Sequence, residues 1–220
     1  MSSPPLPVWQ YLQTLHHKHK LNRSGRVANY IPELERVEAD LFGISFVTMD
    51  GYIYEAGDAN SLFTIQSVSK AIIYCLALED HGREEVLRRI GVEPSGEAFN
   101  SIVFDEKNNR PFNPMVNAGA IASTALVKGA NHAERLERIL DIFERFAGRR
   151  LDMDDAVYRS ESATGHRNRT IAFLELNSGM IGGDVEEHLD LYFRQCSLLV
   201  NTVDLAIIGA TLANGGINPL

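Results

Sequence analysis

The sequence predicts a mixed α/β chain of the α+β kind, with few strands and many helices. Two observations carry that expectation. Ile44-Ser45-Phe46-Val47-Thr48-Met49 and Tyr52-Ile53-Tyr54-Glu55-Ala56 read as two strands. Asp50-Gly51 between them is a type I′ hairpin signal. After Ser67 the dominant pattern is instead apolar residues at helical spacing.

Composition bounds the chain further. It has 220 residues, 45% of them hydrophobic, enough to bury a sizeable core as one large domain or two small ones. The formal net charge is -8 and no basic stripe appears, so nucleic acid is excluded as a partner. No apolar run approaches the length needed to span a bilayer, so no membrane partner is expected. Met1-Ser2-Ser3-Pro4-Pro5 has neither a basic nor an apolar leader region, so no secretory signal is expected. The two cysteines, Cys75 and Cys196, lie in apolar helical contexts and read as reduced core residues of a cytoplasmic protein.

Taken in order, Val8 to Lys20 is helical and amphipathic. Tyr30 precedes the Ile31-Pro32 turn into a short helix, Glu33 to Ala39, and spacing alone reads it as a packing residue. The hairpin follows. Then comes Phe63-Thr64-Ile65-Gln66-Ser67-Val68-Ser69-Lys70, leading into an apolar helix, Ala71 to Leu78, with a stop at His81-Gly82. Two further helix-like pieces are parted by a break at Gly91 to Gly96. Asn113 is an expected N-cap with Pro114 in the first turn of a small-residue-rich, central helix. Asn131 caps a peripheral helix, Ala133 to Phe146, closed by Gly148. A polar island, Ser160 to Arg169, precedes an apolar helix, Ile171 to Leu176. Its His166 has no partner at ligand spacing, so a metal is not read there. Thr202 is expected to cap the last helix, Val203 to Ala213, which ends at Asn214-Gly215-Gly216.

Ser67 and Lys70 form an S-x-x-K pair. With Ser67 in a first helical turn, Lys70 is one turn on and on the same face. The positive end of the helix dipole lowers the pKa of a nearby ammonium and favours an alkoxide, and burial lowers the lysine further. A neutral lysine beside a serine is a base beside a nucleophile, which is what acyl transfer needs. The same spacing also fits an ordinary helix start with a solvated lysine. Two features favour the reactive reading: the lysine opens a segment too apolar for a surface helix, and the serine follows a hairpin. Asn117, in the first turn of its helix, fits either a cleft-facing amide or a local cap. Glu161 and Asn168 are seven apart, so in one continuous helix they face the same way. Tyr192 suits either the core or a ligand-facing hydroxyl.

Together these residues carry a resemblance. Phe63 to Lys70, Pro114 to Ala120, Glu161 with Arg167-Asn168, and Leu191 to Ser197 resemble the serine-dependent glutaminases in order and spacing, and Asn29 to Pro32 fits the same pattern. The resemblance implies a β-lactamase/DD-peptidase-like fold, a helical subdomain beside an antiparallel sheet with helices on its faces. It implies one catalytic domain over 1–220, hydrolysis of L-glutamine to L-glutamate and ammonia without metal or organic cofactor, and a homo-oligomer, tetramer or dimer. Residue by residue it implies Ser67 as nucleophile and Lys70 as base. Asn117, Glu161, Asn168 and Tyr192, with Tyr30 nearby, hold the substrate together with Ser67. Glu161 suits the α-ammonium, and Tyr192, Asn168 and Tyr30 can donate to the α-carboxylate.

The family's pattern continues past Leu220 with further strands, a second active-site tyrosine and a Gly-rich segment that supplies an oxyanion N–H. The expectation is therefore a truncated or incompletely represented chain. Two other readings share the Ser67-Lys70 pair or the pocket. One is a β-lactam-acylating enzyme, against which stands the absence of S-D-N and K-T-G triplets. The other is a non-catalytic module that keeps the pocket.

Overall fold

The computed structural model describes residues 6–220. The expectation of no leader rests on Met1 to Pro5 and lies outside the described residues. The architecture is mixed α/β, as expected: helices with two small antiparallel sheets. Contacts divide the chain into two compact units. The first takes the residues up to Thr64, with Phe143–Val157 and Leu199–Leu220. The second takes Ile65–Ile142 and Tyr158–Leu198.

The first unit is built on the hairpin of β1 (Gly43–Val47) and β2 (Ile53–Gly57). Ile44 pairs with Ala56 and Phe46 with Tyr54, so these four side chains share one face. There Leu12 of helix α1 (Leu6–His19) packs on Tyr54 and Ala56. Val47 faces the other way and meets Ile207 and Ala210 of the carboxy-terminal helix, whose Thr202 hydroxyl lies 2.7 Å from that of Ser45. The hairpin thus meets one helix on each face, while β2 alternates exposed and buried residues from Ile53 to Gly57. Its turn is not type I′. Only Gly51 is left-handed (φ 85), and Gly51 N donates to Thr48 O while Thr48 N donates to Tyr52 O. That is a three-residue loop with glycine in the left-handed place. A second two-stranded sheet pairs β3 (Phe63–Thr64) with β4 (Leu199–Val200). The expected helix after Ile31 is a short 3-10 turn, Pro32–Arg36.

The second unit is helical. Its core joins α2 (Ser69–Arg89), α3 (Asn117–Ala125), α6 (His166–Asn177) and α7 (Val185–Cys196) through Ala77, Ile121, Ile171, Leu189 and Phe193, each at most 1% exposed. The stop at His81-Gly82 holds: Gly82 takes φ 74 and ψ 159, outside helical values, and the first of the two expected pieces follows it. The second helix-like piece after it is absent: 91–116 carries no helix. Asn113 is not the N-cap and Pro114 is not in the first turn, because Val116 is the N-cap; Asn113 instead closes a turn ahead of the helix. Its Oδ1 accepts from Met115 N and Val116 N, and α3 begins at Asn117. That turn packs so tightly that a Cβ on Gly119 would lie 2.0 Å from Asn113 O, which explains the glycine in a buried helix.

Helix α4 (His132–Ala147) starts as expected, with Asn131 Oδ1 accepting from Glu134 N. The polar island is two helices, α5 (Asp155–Thr164) and α6, broken at Gly165. The last helix, α8 (Thr202–Ala213), is capped by Asn201 in a capping box with Asp204, not by Thr202. Asp204 also receives Arg149 at 2.6 Å, which further fixes this end. Among the described residues, no helix is long and apolar enough to cross a membrane.

Candidate active site

The candidate site grows from the segment between β3 and α2. Ile65 N donates to Leu198 O at 2.8 Å. The chain then enters a 3-10 turn, Gln66–Val68, before α2 begins at Ser69. Gln66 takes φ 49, a left-handed conformation that a non-glycine residue adopts only at a cost of about 1–3 kcal/mol. Its side chain donates to Cys196 O at 3.4 Å, a tether to α7. The strained residue immediately precedes Ser67, which the structure leaves exposed.

Lys70, one turn on, is 2% exposed. Its Nζ donates to Met115 O at 3.0 Å and to Asn117 Oδ1 at 2.7 Å, and lies 5.5 Å from the centre of the Phe99 ring. Among the described residues Ser67 is not one of its hydrogen-bond partners. Burial pulls the Lys70 pKa down to about 8, against the opposing pull of Cys196 and Glu161.

Asn117 N donates to Phe99 O at 2.7 Å, which fixes the start of α3. Its side-chain Nδ2 donates to Asn168 Oδ1 at 2.8 Å. Lys70, Asn117 and Asn168 therefore form one hydrogen-bonded chain across α2, α3 and α6. Glu161 on α5 is 7% exposed, and its Oε2 is buried with no hydrogen-bond partner among the described residues. Burial pushes its carboxyl up to about 8, and the Lys70 charge pulls the other way. Each group senses the other's charge, yet for each the loss of water outweighs the attraction.

The reason for pairing Glu161 with Asn168 changes. They are on separate helices, so seven-residue periodicity does not align them. What they share is Lys70, whose charge acts on Glu161 and whose ammonium reaches Asn168 through Asn117. A Cβ at Gly165 would lie 2.6 Å from Phe193 Cζ. Tyr192 is 2% exposed in the core of the second unit and hydrogen-bonds the Cys196 thiol. Ser69 Oγ lies 3.8 Å from the same sulfur. Burial raises the thiol pKa, so it stays protonated. Tyr30 belongs to the first unit, where it is 63% exposed. Cys75 and Cys196 are free thiols.

Four contributors escaped the sequence: Gln66 by its strain, Met115 by its carbonyl, Phe99 by its ring over the ammonium, and Cys196, which read as core. Gln66, Met115 and Cys196 lie in segments that carry the resemblance, and Phe99 alone had no signal.

The glutaminase family model matches residues 25–220. A glutaminase of Nostoc sp. (strain PCC 7120) is 57% identical over 98% of this chain and 65% of its own length. Glutaminase 2 of Clostridium perfringens is 48% identical over 89% of this chain and 65% of its own. Among solved structures, probable glutaminase YbaS superposes with a TM-score of 0.93 at 42% identity, over 99% of this chain and 71% of that one. Mglu in its glutamate form gives 0.92 at 42% identity, over 100% of this chain and 50% of that one. The chain spans about 65% of the length of the Nostoc and Clostridium relatives. With the family matched over most of the chain and the backbone shared at this identity, the chain belongs to the glutaminase family.

Proposed function

We propose that this protein is a hydrolase that converts L-glutamine to L-glutamate and ammonia through a Ser67 ester. The observation that carries the proposal is a buried lysine tied to two carbonyl oxygens, one turn beyond an exposed serine, with an unpartnered buried carboxyl close enough to perturb it. Ser67 Oγ attacks the γ-carboxamide carbon while its proton passes to neutral Lys70. The tetrahedral intermediate collapses as Lys70 returns that proton to the departing nitrogen, which leaves as ammonia. Water then attacks the γ-glutamyl ester, with Lys70 again as base, and releases glutamate.

Recognition follows from charge. The substrate's α-ammonium, removed from water, needs an anionic partner, and Glu161, a buried carboxyl with an oxygen to spare, releases its proton to solvent as the ammonium binds beside it. Asn168 and Tyr192 can donate to the α-carboxylate, and Asn117 orders the group. The Ser67 backbone N–H serves as one oxyanion donor. The family pattern further supports one catalytic domain over 1–220, a homo-oligomer (tetramer or dimer) and a cytoplasmic site of action. Glutamine chemistry is favoured over β-lactam acylation because a buried carboxyl suits an amino acid's ammonium. The test is ammonia release by the full-length protein from L-glutamine, beside mass spectrometry after exposure to a penicillin. Ammonia without a penicilloyl adduct supports the proposal, and a stable adduct without ammonia overturns it.

A further inference from the structure

The Lys70 nitrogen has three positions beyond its bond to Cε. Met115 O takes one N–H and Asn117 Oδ1 takes another, at 3.0 and 2.7 Å. Both partners are carbonyl oxygens, which accept and cannot donate. In the neutral amine both N–H groups are therefore engaged, and the lone pair has the third position to itself. The arrangement is fragile at one point. If the Asn117 amide turned over, its Nδ2 would face the amine and donate into that lone pair, leaving no base.

What holds the amide is its other end. Asn117 Nδ2 donates to Asn168 Oδ1 at 2.8 Å. Asn117 is 8% exposed, so a turned amide would have little water to replace that bond. We propose that Asn168 is a positioning residue that acts through Asn117: its carbonyl oxygen fixes the Asn117 amide so that Lys70 keeps a free lone pair. This rests on the glutaminase reading, in which Asn168 otherwise only holds substrate. The role requires an acceptor at position 168 and does not require the amide N–H. A purely substrate-holding role requires the reverse, a donor to the α-carboxylate.

The test compares Asn168→Asp and Asn168→Leu with the unaltered full-length protein, measuring kcat and KM for glutamine from pH 6 to 10. Asn168→Asp keeps the acceptor and adds a negative charge near Lys70, which holds the ammonium to higher pH. It should keep kcat within about threefold on the alkaline plateau, with the acid limb of kcat displaced to higher pH and KM raised by charge repulsion. Asn168→Leu removes the acceptor and should lower kcat at saturating glutamine by tenfold or more at every pH. Normal kcat with its limb unmoved in Asn168→Leu, and only KM raised, overturns the proposal and leaves the glutaminase reading standing. Loss of kcat at all pH values in Asn168→Asp, with no displaced limb, overturns it equally. Should Asn168→Leu fail to fold by circular dichroism, the aspartate variant alone decides. An unaltered protein that releases no ammonia instead removes the glutaminase reading itself.

Discussion

Replacing Glu161 by glutamine separates function from stability in one experiment. The side chain keeps its shape and loses its charge. For catalysis, the substrate's ammonium loses a charged partner. Hydrogen bonds to charged groups contribute about 1.5–3 kcal/mol, which corresponds to a fall of about 10- to 150-fold in kcat/KM. For the fold, the sign is opposite. Glu161 has a folded pKa raised from 4.5 to about 8. Its favourable contribution is complete below the unfolded value and is lost as pH rises through the folded value. Between those limits the unfolded chain gives up a proton that the folded chain retains, so stability falls by up to about 1.4 kcal/mol per pH unit. Glu161→Gln removes that slope. At pH 8 the variant should melt higher, by about 2–4 °C for each kcal/mol regained, and the gain should shrink towards pH 5. Loss of the negative charge also lowers the Lys70 pKa further, so the acid limb of kcat should move to lower pH. The assays are ammonia release and thermal melting across pH in the full-length protein. Unchanged kcat/KM together with a lower melting temperature at pH 8 would refute the reasoning.

Three further outcomes rest on two buried titratable groups, Lys70 and Glu175. Lys70→Ala should slow turnover by about 10²–10⁴, as expected for loss of a general base. In the unaltered protein kcat/KM should climb through about pH 8, where Lys70 loses its proton; a profile flat from pH 6 to 9 would count against a lysine base. Glu175 is 0% exposed on α6 with both carboxyl oxygens unpartnered among the described residues, and burial raises its pKa well above 4.5. Glu175→Met should therefore stabilise the fold by about 1–3 kcal/mol, more at pH 8 than at pH 5, with ammonia release unaltered. Thermal melts at the two pH values check it.

What was legible in the sequence was local. Asp50-Gly51 marked the hairpin because a left-handed glycine is needed there, although the turn type depended on which residues entered the loop. Asn131 and Gly148 bounded α4 because capping chemistry acts within a turn. The S-x-x-K spacing placed Lys70 one turn beyond Ser67. Beyond that reach, the residues alone did not decide. Gly165 breaks the polar island because Phe193, 28 positions along the chain, occupies the place of its Cβ. The resemblance named Asn117 and Asn168. That one hydrogen-bonds the other, and that Lys70 spends its donors on Met115 and Asn117, are facts of tertiary packing with no counterpart in spacing.

The central claim is that Ser67 forms the bond to substrate. A diazoketone analogue of glutamine, incubated with the full-length protein and followed by peptide mass spectrometry, tests it directly. The account predicts one adduct, on the peptide carrying Gln66-Ser67-Val68, that excess glutamine suppresses and Ser67→Ala abolishes together with ammonia release. An adduct on Cys75 or Cys196 instead, or near-normal turnover by Ser67→Ala, would contradict it.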